Sequence, residues 1–308
     1  MILIGDVREK LKELDDNSIQ CVVTSPPYWG LRDYSNEGQL GLEQSPDEYV
    51  LNMVNVFREV RRVLKEDGTL WLNLGDSYAG SGKGPAGNLG KKNNERHLEH
   101  KHSAIVPKGL KPKDLVGIPW RIAFALQADG WYLRQDIIWA KPNVMPESVT
   151  DRCTKAHEYL FLLTKSRKYY YDNVAIKEPV SDVSLKRAES GWKTNRPSAK
   201  AGKTGINTEK MGTRFVNPEG RNKRSVWFIP TASFRGAHFA VMPERLVEPC
   251  ILAGSREGDT ILDPFFGSGT VGVVAVKHNR NYVGIELNPE YAKIAKERVD
   301  SVDIMLHS

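Results

Sequence analysis

The chain has 308 residues, 40% of them hydrophobic, enough apolar material for an ordinary buried core in one large domain or two smaller ones. Its net charge of +6 is concentrated: residues 76–113 hold eight Lys/Arg against three Asp/Glu, and residues 181–224 hold eleven against four, so the remainder is net acidic. Three scattered cysteines, Cys21, Cys153 and Cys250, argue against a disulfide framework or a CxxC zinc site, and no apolar run reaches the roughly 18 residues of a membrane span.

In chain order, MILIGD reads as a short buried strand and VREKLKEL as a helix with Val7, Leu11 and Leu14 on one face. The opening is too short in apolar residues for a signal peptide, so a cytoplasmic protein is expected. IQCVVT is a second strand that runs into Thr24-Ser25-Pro26-Pro27-Tyr28-Trp29. The segment from Ser45 to Gly68 predicts a helix capped by Ser45, with Val50, Met53, Val54, Phe57, Val60 and Leu64 on its apolar face. TLWLNL is a strand, and residues 76–113 read as a basic loop. His97, His100 and His102 lie in that loop with no cysteine near them, which fits a solvated segment better than a metal site. VGIPWRIAFALQADG predicts a helix stopped at Gly130, followed by strands in WYLRQDIIWAKP and YLFLLTKS. Periodicity is lost over 172–232. It returns with a helix in MPERLVEPCILAG, a strand in TILDPF, a helix after GSGT, a strand in NYVGIEL and a final helix from NPEY.

This alternation predicts a doubly wound α/β fold: a mostly parallel sheet covered by helices on both faces. Residues 1–171 and 233–308 would form two halves of one core, with 172–232 an inserted recognition region. Ligands bind such sheets at the carboxyl ends of strands, which singles out Asp6, Thr24–Tyr28, Asp263–Thr270 and Glu286.

ILDPFFGSGTVG carries Gly267-x-Gly269-x-x-Gly272 between a strand and a helix, and Glu286 ends the next strand about 20 residues after the first glycine. Glycine permits the tight turn and close backbone approach, and the acid suits a ribose hydroxyl pair, so an adenosine-containing ligand is expected. NAD and S-adenosylmethionine both qualify. Asp263 ahead of the glycines favours the second, because a carboxylate suits a cationic amino group better than a pyrophosphate. Too little chain follows Gly272 for a nicotinamide-binding half.

TSPPY together with DPFFGSGT resembles the amino-methyltransferases of DNA, and the catalytic motif preceding the cofactor motif resembles their permuted beta group. The resemblance covers nearly the whole chain. It implies the permuted S-adenosylmethionine-dependent methyltransferase fold, that cofactor, and duplex DNA as partner. An exocyclic amine is a weak nucleophile whose hydrogens must be held as charge builds. Ser25 Oγ and the Pro26 carbonyl are the expected acceptors, Pro26 and Pro27 stiffen the turn, and Tyr28 stacks on a base flipped out of the duplex.

By the same resemblance, Asp6 would contact the cofactor's adenine and Glu286 its ribose. Asp263, Pro264, Phe265, Gly267, Gly269 and Thr270 would line its methionine side, where His238 and Pro243 of AHFAVMPERL would also pack, although family members commonly read HPA where this chain has His238-Phe239-Ala240. WAKPN, with Lys141, resembles the segment beside the target base and reads equally as a strand end entering a loop. Trp29 to Tyr34 would form a flap over the base, with Arg32 a candidate phosphate contact. Arg187, Lys193, Arg196, Arg221, Lys223 and Arg224 are the candidate phosphate contacts of the insertion.

Relatives with Ser before Pro-Pro mostly modify cytosine N4 and those with Asp mostly adenine N6. Cytosine N4 is therefore expected, with adenine N6 as the alternative. Outside the class, a DNA-binding module without catalysis and an NAD-dependent dehydrogenase are the rivals. RNA is a rival substrate within it. A separately acting restriction endonuclease is a conceivable partner, and the chain as a monomer or a homodimer fits equally. The Pro249-Cys250 pair matches the nucleophile of cytosine-C5 enzymes, but it falls mid-helix on an apolar face, where a core cysteine is expected.

Overall fold

A computed structural model describes residues 1–30, 38–80, 106–180, 220–232 and 241–307. The chain divides into two compact units, Met1–Tyr171 with Ser225–Ser308, and Asp172–Arg224.

The first unit is built on an eight-stranded sheet: β1 Ile2–Ile4, β2 Ile19–Thr24, β3 Leu64–Leu74, β4 Tyr132–Ala140, β5 His157–Thr164, β6 Val226–Phe228, β7 Thr260–Asp263 and β8 Asn281–Glu286. Their spatial order is β1-β8-β7-β2-β3-β5-β4-β6. Only β5 runs against the others, pairing antiparallel with β3 and β4. Among the described residues the helices of this unit are α1 Val7–Lys10, α2 Pro46–Val63, α3 Ile118–Ala128, α4 Glu244–Gly254, α5 Thr270–Lys277 and α6 Pro289–His307.

Side chains alternate across a strand, and here both faces are covered. Val22, Leu70, Leu72 and Leu262 join one core with Tyr49, Met53 and Phe57 of α2 and Ile122 and Leu126 of α3. Cys21, on the other face of β2, approaches the backbone of Cys250 in α4. Cys250 is fully buried, and its thiol donates to the Leu246 carbonyl, as a core cysteine does. Each fully buried Leu, Met or Phe contributes about 1.5–3 kcal/mol.

Local chemistry sets the helix ends. Ser45 and Glu48 form a reciprocal capping box at the start of α2. α3 lacks a capping side chain of its own, but Asp76 Oδ1 accepts from the Gly117 and Ile118 amides at 3.0 and 3.1 Å. Gly130, at φ +100°, follows the end of α3 as expected.

Several boundaries differ from the sequence reading. α2 stops at Val63, well before Gly68, because Leu64 already pairs with Ile19 as the first residue of β3. β1 is an edge strand pairing only with β8, so Ile4 is exposed rather than buried. Val226–Phe228, expected inside the insertion, pair with Ile138–Ala140 of β4, and Trp227 is buried. The segment read as one helix over residues 7–14 is a four-residue turn of helix followed by a 3₁₀ turn, Leu11–Glu13. Most of the 76–113 loop, with its three histidines, lies outside the described residues.

In the second unit, Glu178 and Arg221 form a backbone bridge with both amide bonds at 2.9 Å, and the Glu178 carboxylate also accepts from Arg224.

Candidate active site

β2 and β7 are neighbours, and the chain leaves them in opposite directions: β2 leads to β3 on one side and β7 to β8 on the other. A crevice must open at their carboxyl ends. There a cleft of about 280 Å³ is lined by Ser25–Tyr28 from β2, by Asp263–Ser268 and Thr270 after β7, and by Glu286–Asn288 after β8. Two motifs far apart in sequence thus share one cleft.

On the cofactor-type side, the carboxyl of Asp263 is buried, and its Oδ1 accepts from the Thr24 hydroxyl at 2.7 Å and the Phe265 amide at 3.0 Å. Burial pushes its pKa up to about 7, with the two hydrogen bonds opposing and the nearby Glu286 adding to the rise. Glu286 accepts from the Gly267 amide at 2.7 Å and the Asn288 amide at 2.9 Å, tying the glycine turn to the entry of α6. Its pKa is also raised by burial. Asp6 lines the cleft with both carboxylate oxygens bonded to Arg8, whose hydrogen bonds hold it below the usual range.

Gly267 and Gly269 have φ of +51° and +79°. A Cβ on Gly269 would stand 2.8 Å from Ala295 Cβ, and one on Gly272 would stand 2.7 Å from the Phe266 ring. Close packing against α6 and the Phe266 ring therefore leaves no room for a side chain at either position.

On the other side, Pro26 is buried and Ser25, Pro27 and Tyr28 are half-buried. The Pro27 carbonyl accepts from the Tyr49 hydroxyl at 2.7 Å, so α2 pins the turn. Ser25 Oγ lies 3.2 Å from Tyr28 Oη, which in turn reaches Glu158 Oε2 at 2.7 Å and Asn73 Oδ1 at 3.2 Å. Burial pushes the Tyr28 phenol well above its usual pKa, and Glu158 adds to the effect, so the phenol is a neutral donor. A Cβ on Gly75 would lie 2.6 Å from the Tyr28 ring.

Some expected residues sit elsewhere. Trp29 donates its indole N–H to the Glu43 carbonyl at 3.0 Å and packs, half-buried, on the main core, so its ring is anchored. Lys141, expected beside the target base, lines the cleft, pairs with Glu158 and lies 4.3 Å from the Trp139 ring centre. Pro243 is the N-cap of α4, and its neighbours Val241 and Met242 line the cleft instead. Arg221 and Arg224 both reach Glu178. Lys223 lies between them in sequence. Arg32, Arg187, Lys193, Arg196 and His238 fall outside the described residues.

Sequence reasoning missed Asn73, Glu158, Tyr49 and Gly75. The available signals were polar: an Asn near the end of the apolar run TLWLNL, a Glu opening the apolar run YLFLLT, and a Tyr hydroxyl on an otherwise apolar helix face.

The permuted, mostly parallel sheet with its cleft between a glycine turn and an SPPY turn defines the doubly wound α/β fold of the methyltransferases. A DNA methylase family model matches residues 19–297, and the chain belongs to that family, the N6/N4 DNA methyltransferases. It is 50% identical over 298 residues to the Type II methyltransferase M.SmaI of Serratia marcescens, covering 97% of this chain and 90% of that relative. It is also 50% identical over 299 residues to the Type II methyltransferase M.Cfr9I of Citrobacter freundii, covering 97% and 87%. Among solved structures, the fold is similar to that of PvuII DNA methyltransferase (cytosine-N4-specific), with a TM-score of 0.62 at 19% identity over 99% of this chain and 91% of that one. It is similar too to TTHA0409 of Thermus thermophilus complexed with S-adenosyl-L-methionine, with a TM-score of 0.58 at 23% identity over 98% and 95%. The family sets aside the dehydrogenase reading. No helix among the described residues is long and apolar enough to cross a membrane.

Proposed function

We propose that this chain methylates the exocyclic N4 amine of a cytosine in duplex DNA, with S-adenosylmethionine as donor. The observation that carries the reading is the shared cleft, lined by Ser25–Tyr28 together with Asp263–Ser268, Thr270 and Glu286. The donor set fits the cofactor: a buried carboxylate at Asp263 for its ammonium group and a second carboxylate at Glu286 for its ribose diol. When bound, that cofactor supplies an electrophilic methyl group on a cationic sulfur.

The chain's own residues do the rest. Ser25 Oγ and the Pro26 carbonyl accept the two amine hydrogens, so the nitrogen lone pair points at the methyl and the growing positive charge meets two acceptors. A base inside a duplex cannot enter such a cleft, so the target nucleotide is flipped out, at a cost of a few kcal/mol. Ser25, in place of an acid at the head of the Pro-Pro pair, is what favours cytosine N4 over adenine N6. The name of the solved PvuII enzyme supports the same choice. The basic residues of 181–224 supply phosphate contacts. The Type II names of the relatives support a separate cognate endonuclease that cuts the unmodified site.

The test is to incubate the protein with unmethylated genomic DNA and labelled S-adenosylmethionine, digest to nucleosides and resolve them by mass spectrometry. Label in N4-methylcytosine is expected. Label in N6-methyladenine overturns the choice of base and leaves the class standing.

A further inference from the structure

Ser25, Tyr28, Glu158 and Lys141 form one hydrogen-bonded chain along the wall of the cleft, and its direction can be worked out by counting protons. The Asn73 side chain is fixed first. Its Nδ2 donates to the Tyr159 carbonyl at 3.1 Å, and a carbonyl can only accept, so Oδ1 is the atom turned toward Tyr28. Tyr28 Oη therefore faces two acceptors, Asn73 Oδ1 at 3.2 Å and Glu158 Oε2 at 2.7 Å. It has one proton, and the shorter bond to a charged acceptor takes it. Lys141 donates to the other oxygen of Glu158, so the carboxylate is held from both ends. With its proton committed, Tyr28 Oη has a lone pair left for Ser25, 3.2 Å away, and Ser25 must be the donor in that bond.

We propose that Glu158 is a positioning residue that sets the direction of this chain, so that Ser25 Oγ turns its proton away from the cleft and meets the target amine as an acceptor only. The consequence is chemical. A serine free to rotate could donate to the amine nitrogen and tie up the lone pair that must attack. A serine whose proton is held by Tyr28 can only accept an amine hydrogen, and that bond strengthens as the nitrogen becomes cationic. Lys141, stacked over Trp139, keeps Glu158 in its acceptor role. This inference rests on the amine-methylation reading of the same cleft.

Glu158→Gln keeps the shape of the side chain and removes the charged acceptor that holds the Tyr28 proton. Lys141 still donates to the amide oxygen, which turns the amide NH₂ toward Tyr28. The Tyr28 proton is then shared between the weaker acceptors Asn73 Oδ1 and Ser25 Oγ, so the direction of the chain is no longer fixed. Tyr28→Phe keeps the ring and the Lys141–Glu158 pair and cuts the chain in the middle. Steady-state kinetics of the full-length protein on unmethylated genomic DNA should show kcat falling roughly 10- to 100-fold in each variant, the size of one hydrogen bond to a charged group. KM for DNA and for S-adenosylmethionine should stay within about twofold, and the double variant should be no slower than about threefold below either single, because both changes break the same chain. Unchanged kcat in either single variant, a loss confined to KM, or a double variant showing the product of the two losses would overturn the proposal. Should E158Q fail to fold, Glu158→Asp, which keeps the charge and withdraws the carboxylate from Tyr28, must show the same kcat loss. Absence of any methylated base in the wild-type reaction would sink the methylation reading itself, which the wild-type arm reports separately.

Discussion

The hydroxyl of Thr24 donates to a carboxylate oxygen of Asp263 at 2.7 Å, a bond between residues 239 positions apart that joins the end of the SPPY strand to the start of the glycine turn. Neighbouring parallel strands put the two motifs within reach, and this bond also favours the ionised form of Asp263. The Asp263 pKa is raised to about 7 chiefly by burial, with the Thr24 bond working against that rise.

Thr24→Val removes the donor at nearly constant volume, so the Asp263 pKa moves higher still. Binding of S-adenosylmethionine through an ionised Asp263 should strengthen as pH rises through about 7, and in T24V that midpoint should shift upward. Titration calorimetry of the cofactor across this range reads the shift. A midpoint identical in the two proteins would remove Asp263 from cofactor binding.

The same raised pKa makes a stability prediction. A carboxyl whose folded pKa lies above its unfolded value contributes stability below the unfolded pKa and loses it as pH rises through the folded one. Asp263 therefore disfavours the free protein between about pH 4 and 7, progressively more toward the upper end. Asp263→Asn should flatten that slope in denaturant midpoints measured without ligand, and it should weaken cofactor binding at the same time.

Tyr49→Phe leaves the core volume intact and deletes the bond to the Pro27 carbonyl. A stability loss of about 1 kcal/mol is expected from one neutral hydrogen bond. Single-turnover methylation should slow by more than that loss accounts for, because the turn bearing Ser25 loses its tether to α2. Urea denaturation and rapid-quench kinetics separate the two effects.

Gly75→Ala places a Cβ 2.6 Å from the Tyr28 ring, so the ring must move. Turnover should fall at least about tenfold, the effect of weakening one hydrogen bond to charge, while the folded state persists. Gly269→Ala is the contrasting case. Its left-handed backbone and the 2.8 Å approach to Ala295 Cβ combine strain with a helix–helix clash. A loss of about 2 kcal/mol or more in stability is expected. Thermal melts of the two variants beside their activities should therefore diverge.

Much of the fold was legible because it is local. The apolar runs of β2, β3, β5, β7 and β8 announce buried strands, the Ser45–Glu48 spacing announces the start of α2, and Gly130 marks the end of α3. The glycine turn and the SPPY turn were each legible as strand endings. What misled was competition between local and distant partners. Leu64 fits the helical face of α2, yet pairing with Ile19 claims it for β3. Val226–Phe228 carry no strand signal beyond three apolar residues, and β4 makes them a strand. Nothing near Trp29 in sequence showed that a carbonyl at Glu43 and the main core would hold its ring.

By itself the sequence determined the class of chemistry. Two turn motifs in this order dictate where strands end and which donors and acceptors stand there, and those choices are made by residue type at short range. Only the tertiary structure decided which side chains complete the site. Glu158 meets Tyr28 from a strand 130 residues away, through a sheet in which β5 runs antiparallel to β3 and brings its first residues to the carboxyl end of β3. Strand order and direction are set by the packing of the whole sheet between its helices. No window of sequence contains that information, and the direction of the hydrogen-bond chain along the cleft follows from it.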